Sequence, residues 1–130
     1  MASNTLRRDE VLEKLFTHYV TLKMYHFQTK SYAVHKAVDE YISTFLGHFD
    51  SFAETLQGAS AKNFETTHLK LEITTIGNGA SAGIYLLDYI SFLKGLSKTD
   101  VIKANSDLVN IRDDMLASAH QLKYLLRFTA

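Results

Sequence analysis

Apolar residues recur at helical spacing through most of the chain. From about Thr5 to Phe27, the residues Leu12, Leu15, Phe16, Tyr19, Leu22 and His26 fall on one face, which predicts a first helix. A polar break follows at Gln28–Ser31, where Thr29 or Ser31 can cap the next helix by accepting a free backbone N–H. The second helix is predicted from about Tyr32 to Gln57. Its apolar residues Val34, Val38, Tyr41, Phe45, Phe49, Phe52 and Leu56 step by three and four, which confines them to a stripe roughly 80° wide. Gly58 stands where a left-handed residue commonly ends a helix. A third helix is predicted from about Ser81 to Lys94, ended by Gly95. It is apolar on most sides, so it should be the most buried. The fourth starts near Ser97–Thr99, with Asp100 favourable in its first turn, and continues to about Phe128. Val101, Ala104, Leu108, Ile111, Met115, Ser118, Leu122 and Leu125 give it one unbroken seam.

Residues 59–79 have a different rhythm. Leu69, Leu71 and Ile73 alternate with Lys70, Glu72 and Thr74 at strand period, and Gly77-Asn78-Gly79 is a turn signal. The segment reads as a long crossover with some extended structure. Four amphipathic helices with one long connection between the second and third predict an all-α fold. The arrangement expected is a four-helix bundle with ferritin-like connectivity, and 130 residues make it a single domain, 1–130.

Composition narrows the chemistry. The chain has no Cys, which excludes a disulfide framework, a zinc ribbon and a thiol nucleophile. A metal site must therefore draw on His, Asp and Glu. It has no Pro, which favours long uninterrupted helices. The 14 basic and 14 acidic residues cancel, so no global field attracts DNA or an anionic membrane. No apolar run is long enough to span a bilayer, and Met1–Glu10 is too polar for a signal peptide. The expectation is a cytoplasmic protein.

The far side of the second helix carries a second pattern. With His35 set at zero and about 100° per residue, Asp39 falls near 40°, Asp50 near 60° and Glu54 near 100°. A carboxylate band on a helix usually faces water, but two features argue for a metal. His35 and Asp39 are four residues apart, as are Asp50 and Glu54, so each pair can converge on one cation. The four residues are also placed symmetrically about the point between Thr44 and Phe45. His35 and Glu54 are separated by about 28 Å along a straight helix, too far for one chain to unite them. An antiparallel copy of the helix, related by a two-fold through that midpoint, sets Glu54 of the partner subunit beside His35 and the partner's Asp50 beside Asp39. Two equivalent sites result, as isologous symmetry requires. Ile42 and Leu46 lie between the pairs and are assigned to the dimer contact. His26, nine residues before His35 across the break, joins the site if the chain folds back.

Other candidates carry less. Glu65-Thr66-Thr67-His68 has the Glu-x-x-His form used in di-iron bundles, but those need a second copy on a facing helix. His18, His48 and His120 are read as surface or packing residues. Gly77-Asn78-Gly79 lacks the Lys and the helix of a phosphate loop.

Tyr25-His26-Phe27, Ser31, His35-xxx-Asp39 and Asp50-xxx-Glu54 together resemble the ferroxidase signature of the Dps proteins, the ferritin-like mini-ferritins. The match covers about residues 10–58. The run Asp107 to Leu126 is also similar to small Dps-like proteins of phages and large DNA viruses, which would place the chain in a host cytoplasm. Phe27 stands where the family has Trp, and the Lys-rich tail that many relatives use on DNA is absent. The resemblance implies iron as the metal, with His26, His35, Asp39, Asp50 and Glu54 as ligands and His35, Asp39 and Glu54 as the catalytic set. It implies oxidation of Fe(II) by hydrogen peroxide or dioxygen, and ferric storage if the chains close a shell of up to twelve. Tyr25, Tyr32 and Tyr41 are candidate electron relays. Two other readings stand beside it. One is a non-enzymatic helical module that oligomerises through the second helix. The other is a DNA-protecting protein without ferroxidase activity.

Overall fold

The computed structural model describes residues 7–65, 68–77 and 79–128. Thr5, where the first helix was expected to begin, lies outside them, as do Thr66, Thr67 and Asn78 of the two loop motifs. The described residues contain helix and coil and no β-strand. Four long helices, α1 (Arg8–Gln28), α2 (Tyr32–Ser60), α3 (Gly79–Gly95) and α5 (Ser106–Leu125), are joined by short turns and one long crossover. A 3-10 turn (Leu96–Lys98) and a one-turn helix α4 (Asp100–Lys103) lie between α3 and α5. The fold is all-α. No helix among the described residues is long and apolar enough to cross a membrane.

The α1–α2 connection is only residues 29–31 long, and Thr29 and Ser31 tie off the two helix ends. Thr29 N–H donates back to Tyr25 O at 2.9 Å and closes α1. Ser31 caps α2, its Oγ accepting Val34 N–H at 3.2 Å. So tight a reversal makes α1 and α2 antiparallel neighbours. α2 then packs on α1 along one side and on α5 along the other, and α3 packs on α5. Every residue of the predicted α2 core stripe, Val34 through Leu56, is buried.

α2 does not end at Gly58. It runs to Ser60, and Ala61 takes the left-handed conformation, φ 52° and ψ 30°. Lys62 N–H donates to Gln57 O at 3.2 Å and Ala61 N–H to Gly58 O at 3.3 Å, the paired bonds of a Schellman motif. The Gln57 amide fixes the exit, its Oε1 accepting Phe64 N–H at 2.9 Å. A side chain in the left-handed region costs about 1 kcal/mol. Ala61→Gly should therefore raise unfolding stability by about 1 kcal/mol, measurable by urea denaturation; no gain would show that Ala61 is unstrained.

Three further expectations change. The crossover is coil, with Leu69, Leu71 and Ile73 exposed and Ile76 alone of its described residues in the buried core. Strand period without a partner strand leaves no ladder to form. The fourth helix is not continuous: Ala104 and Asn105 break it, and the Asn105 side chain donates to Val101 O at 2.6 Å. The inward positions become Ile102, Leu108, Met115, Ala119, Leu122 and Leu126, while Ala104 and Leu125 are exposed. α3 is not buried all round, because Ile84 and Leu87 face out.

Candidate metal-binding half-site

The short α1–α2 turn sets the last turn of α1 beside the first turn of α2. His26 and His35 meet there with their rings stacked, centroids 3.9 Å apart at 19°. Each ring bonds to the other residue's backbone. His26 Nδ1 lies 3.0 Å from His35 O, and His35 Nδ1 lies 2.9 Å from His26 O. A carbonyl only accepts, so both Nδ1 atoms carry the proton and donate. The neutral form of each ring then presents its lone pair at Nε2, the state a metal requires. His26 O is one of the carbonyls left unpaired at the end of α1, and His35 supplies its partner.

Asp39, one turn after His35, is the nearest carboxylate to this pair. Its Oδ1 is 3.9 Å from His26 Nε2. That exceeds hydrogen-bond reach. A cation with bonds of about 2.1 Å to nitrogen and to oxygen can bridge up to about 4.2 Å, so the gap fits an intervening ion. The His26 side chain is 9% exposed and that of Asp39 58%. Tyr32 stands against His35 at 6.3 Å between centroids and Phe27 against His26 at 5.5 Å, and both are largely exposed.

Asp50 and Glu54 are exposed on the same helix, about three and four turns beyond Asp39. α2 is unbroken from Tyr32 to Ser60, so they cannot bend back to the histidines. Among the described residues, no three His, Asp or Glu side chains of one chain gather as a metal-holding group. The structure stacks His26 on His35 and leaves Asp39 3.9 Å from His26 Nε2, which is short of a three-residue metal-holding group, while Asp50 and Glu54 lie farther along α2. Ile42 corrects the dimer contact: it is 4% exposed and sits in the chain's own core, while Leu46 is 38% exposed. At the edge of the apolar stripe, the packed α2 neighbours claim it.

The sequence gives no chemical role to His18, which the structure places at the centre of the molecule. It is buried, with Nε2 2.7 Å from the Tyr41 hydroxyl and Nδ1 2.7 Å from the Tyr85 hydroxyl. Tyr89 stacks on it with ring centroids 3.4 Å apart. Burial lowers the His18 pKa to about 3 and raises those of Tyr41, Tyr85 and Tyr89. A neutral imidazole has one donor and one acceptor, so one tyrosine donates to it and the other accepts. Tyr41 is thereby a core residue bonded to His18. The signal was available: His18 lies three residues after Leu15 and four before Leu22, both on the buried face. Tyr85 and Tyr89 also line a cavity of about 470 Å³ between α1, the crossover and α3. His120 is exposed, and His48 is half-buried with an unpaired Nδ1.

Comparison with curated proteins and with solved structures gives no match. One family model does match, over residues 26–126, a span that begins at His26 and contains His35, Asp39, Asp50 and Glu54. The chain belongs to that family, DUF5856, described as a family of unknown function.

Proposed function

We propose that the protein is an iron-binding ferroxidase of the Dps type, built on a ferritin-like four-helix bundle. The packing of α2 between α1 and α5, with α3 on α5 and a long crossover from α2 to α3, supports that fold. The observation that carries the function is the reciprocal bonding of His26 and His35, which orients two imidazoles as ligands beside the Asp39 carboxylate. In this reading Fe(II) is the substrate. Nitrogen and oxygen donors suit the ferrous ion, and carboxylates stabilise the ferric product. The partner's Asp50 and Glu54 complete each site across a two-fold. Each site gives up one electron per Fe(II), and any two sites, on one dimer or on two, together turn one hydrogen peroxide and two protons into two waters as two Fe(II) become Fe(III).

His35 and Asp39 hold the ion, and His26 sets the orientation of His35 while contributing its own Nε2. Net charge of zero supports iron chemistry over DNA protection. The test is an anaerobic Fe(II) titration followed by peroxide, reading ferric absorbance. The wild type should oxidise the bound iron, and His35→Ala and Asp39→Ala should lower the rate at least about tenfold. Equal rates in all three would exclude this site and leave a non-enzymatic helical module.

A further inference from the structure

The burial of Ile42 changes what can hold two copies of this chain together. We infer that a divalent cation is itself the link: the α2–α2 pairing forms when the metal binds and is lost when it leaves. This rests on the half-site reading above, and adds to it that assembly is under metal control.

The physical argument has three parts. First, the middle of the outer face of α2, between the two polar pairs, has little apolar surface to bury, and the exposed rings Phe27 and Tyr32 lie at the histidine end. Ile42 is committed to the chain's own core, and Leu46, itself more than half buried, is the apolar residue left between the two polar pairs. Hydrophobic association scales with apolar area removed from water, and stable interfaces bury on the order of 800 Å² per partner. Leu46 at the centre, with Phe27 and Tyr32 at one end, falls short of such an area. Second, the charges oppose pairing without an ion. The two-fold brings Asp39 against the partner's Asp50, two exposed carboxylates. Like charges placed face to face disfavour a contact. Third, the same arrangement reverses sign with a cation present. His26 is 7% exposed, and its Nε2 makes no hydrogen bond to the Asp39 oxygen 3.9 Å away. That unpaired nitrogen and the His35 imidazole form one side of a site, and the partner's carboxylates supply the other. The ends of α2 are complementary, histidines at one and carboxylates at the other, which selects a head-to-tail second copy as the occupant of this face.

Linkage makes the coupling reciprocal: whatever factor the metal adds to association, association adds to metal affinity. The probe is Co(II), which takes nitrogen and oxygen ligands and reports binding through its visible bands. Sedimentation velocity of the full chain should give monomer in chelator and dimer in Co(II), the association constant rising at least about tenfold. Gly47→Gln adds bulk to the outer face at a position where a new Cβ meets nothing within 4 Å of the chain itself. It should remain folded and stay monomeric in Co(II). Glu54→Gln should weaken both dimer and Co(II) spectrum. An association constant that is the same with and without Co(II), in a protein whose spectrum shows the ion bound, would overturn metal control and leave the site reading intact. Co(II) bound by a persistent monomer would also overturn it. A chain that binds no Co(II) would overturn both.

Discussion

Replacing His18 with leucine is expected to lower unfolding stability by about 2–4 kcal/mol, with the melting temperature falling on the order of 10 °C. The imidazole pairs with two tyrosine hydroxyls on two different helices, Tyr41 of α2 and Tyr85 of α3. Leucine is of similar size, so packing is largely kept. What is lost is the partner of each hydroxyl, and a buried unpaired hydroxyl costs about 1–3 kcal/mol. Adding Tyr41→Phe to His18→Leu removes one orphan and should restore part of the loss. The same residue makes the fold acid-sensitive. The unfolded chain protonates His18 near its ordinary pKa of about 6.5, whereas burial holds the folded pKa at about 3. Between those values the unfolded state binds the extra proton, so stability falls as pH drops through that window and is fully present above it. The contribution lost from pH 7 to pH 5 is about 2 kcal/mol, and His18→Leu should lose that pH dependence. Denaturant melts of both proteins at the two pH values test this; parallel losses would show that His18 is not the titrating group.

The core of α2 was legible because its apolar residues, Val34 to Leu56, keep strict helical steps, and a long helix has no other way to bury them. A cap at Thr29 or Ser31 was legible because a hydroxyl residue between two helical patterns has one strong local use, and the structure gives it to Ser31. The break before α5 was signalled by Asn105-Ser106-Asp107, a run of helix-start residues overridden by the apolar seam around it. The end of α2 was not legible locally. Gly58 carries the right chemistry, but the exit is set by Gln57 reaching Phe64, seven residues on. For the site, spacing places His35 and Asp39 on one face of α2, whereas the neighbour the structure gives Asp39 is His26 Nε2. That His26 bonds reciprocally with His35 depends on the three-residue turn, which no periodicity states. Ile42 misled because it lies at the edge of the apolar stripe, where angle alone does not divide core from surface.

The second large effect is recovery of activity from two inactive chains. In the proposed shared site, His35→Ala removes the histidine half and leaves the acidic half intact. Asp50→Asn combined with Glu54→Gln does the reverse. Each variant alone has one defective half in every site, so each should oxidise Fe(II) at a small fraction of the wild-type rate. In a mixed dimer the geometry is unequal. One site takes its histidines from the double variant and its carboxylates from the His35→Ala chain, and is whole; the other site has both halves broken. Random pairing of equal amounts makes half of the dimers mixed, each with one intact site in two, so about a quarter of the sites are restored.

That mixing experiment is the most direct test of whether the site is shared. With Fe(II) and peroxide, two inactive variants combined under conditions that let subunits exchange should regain about a quarter of the wild-type rate. A mixture no faster than its components, or a double variant that keeps full activity by itself, would contradict a metal centre divided between two copies of α2.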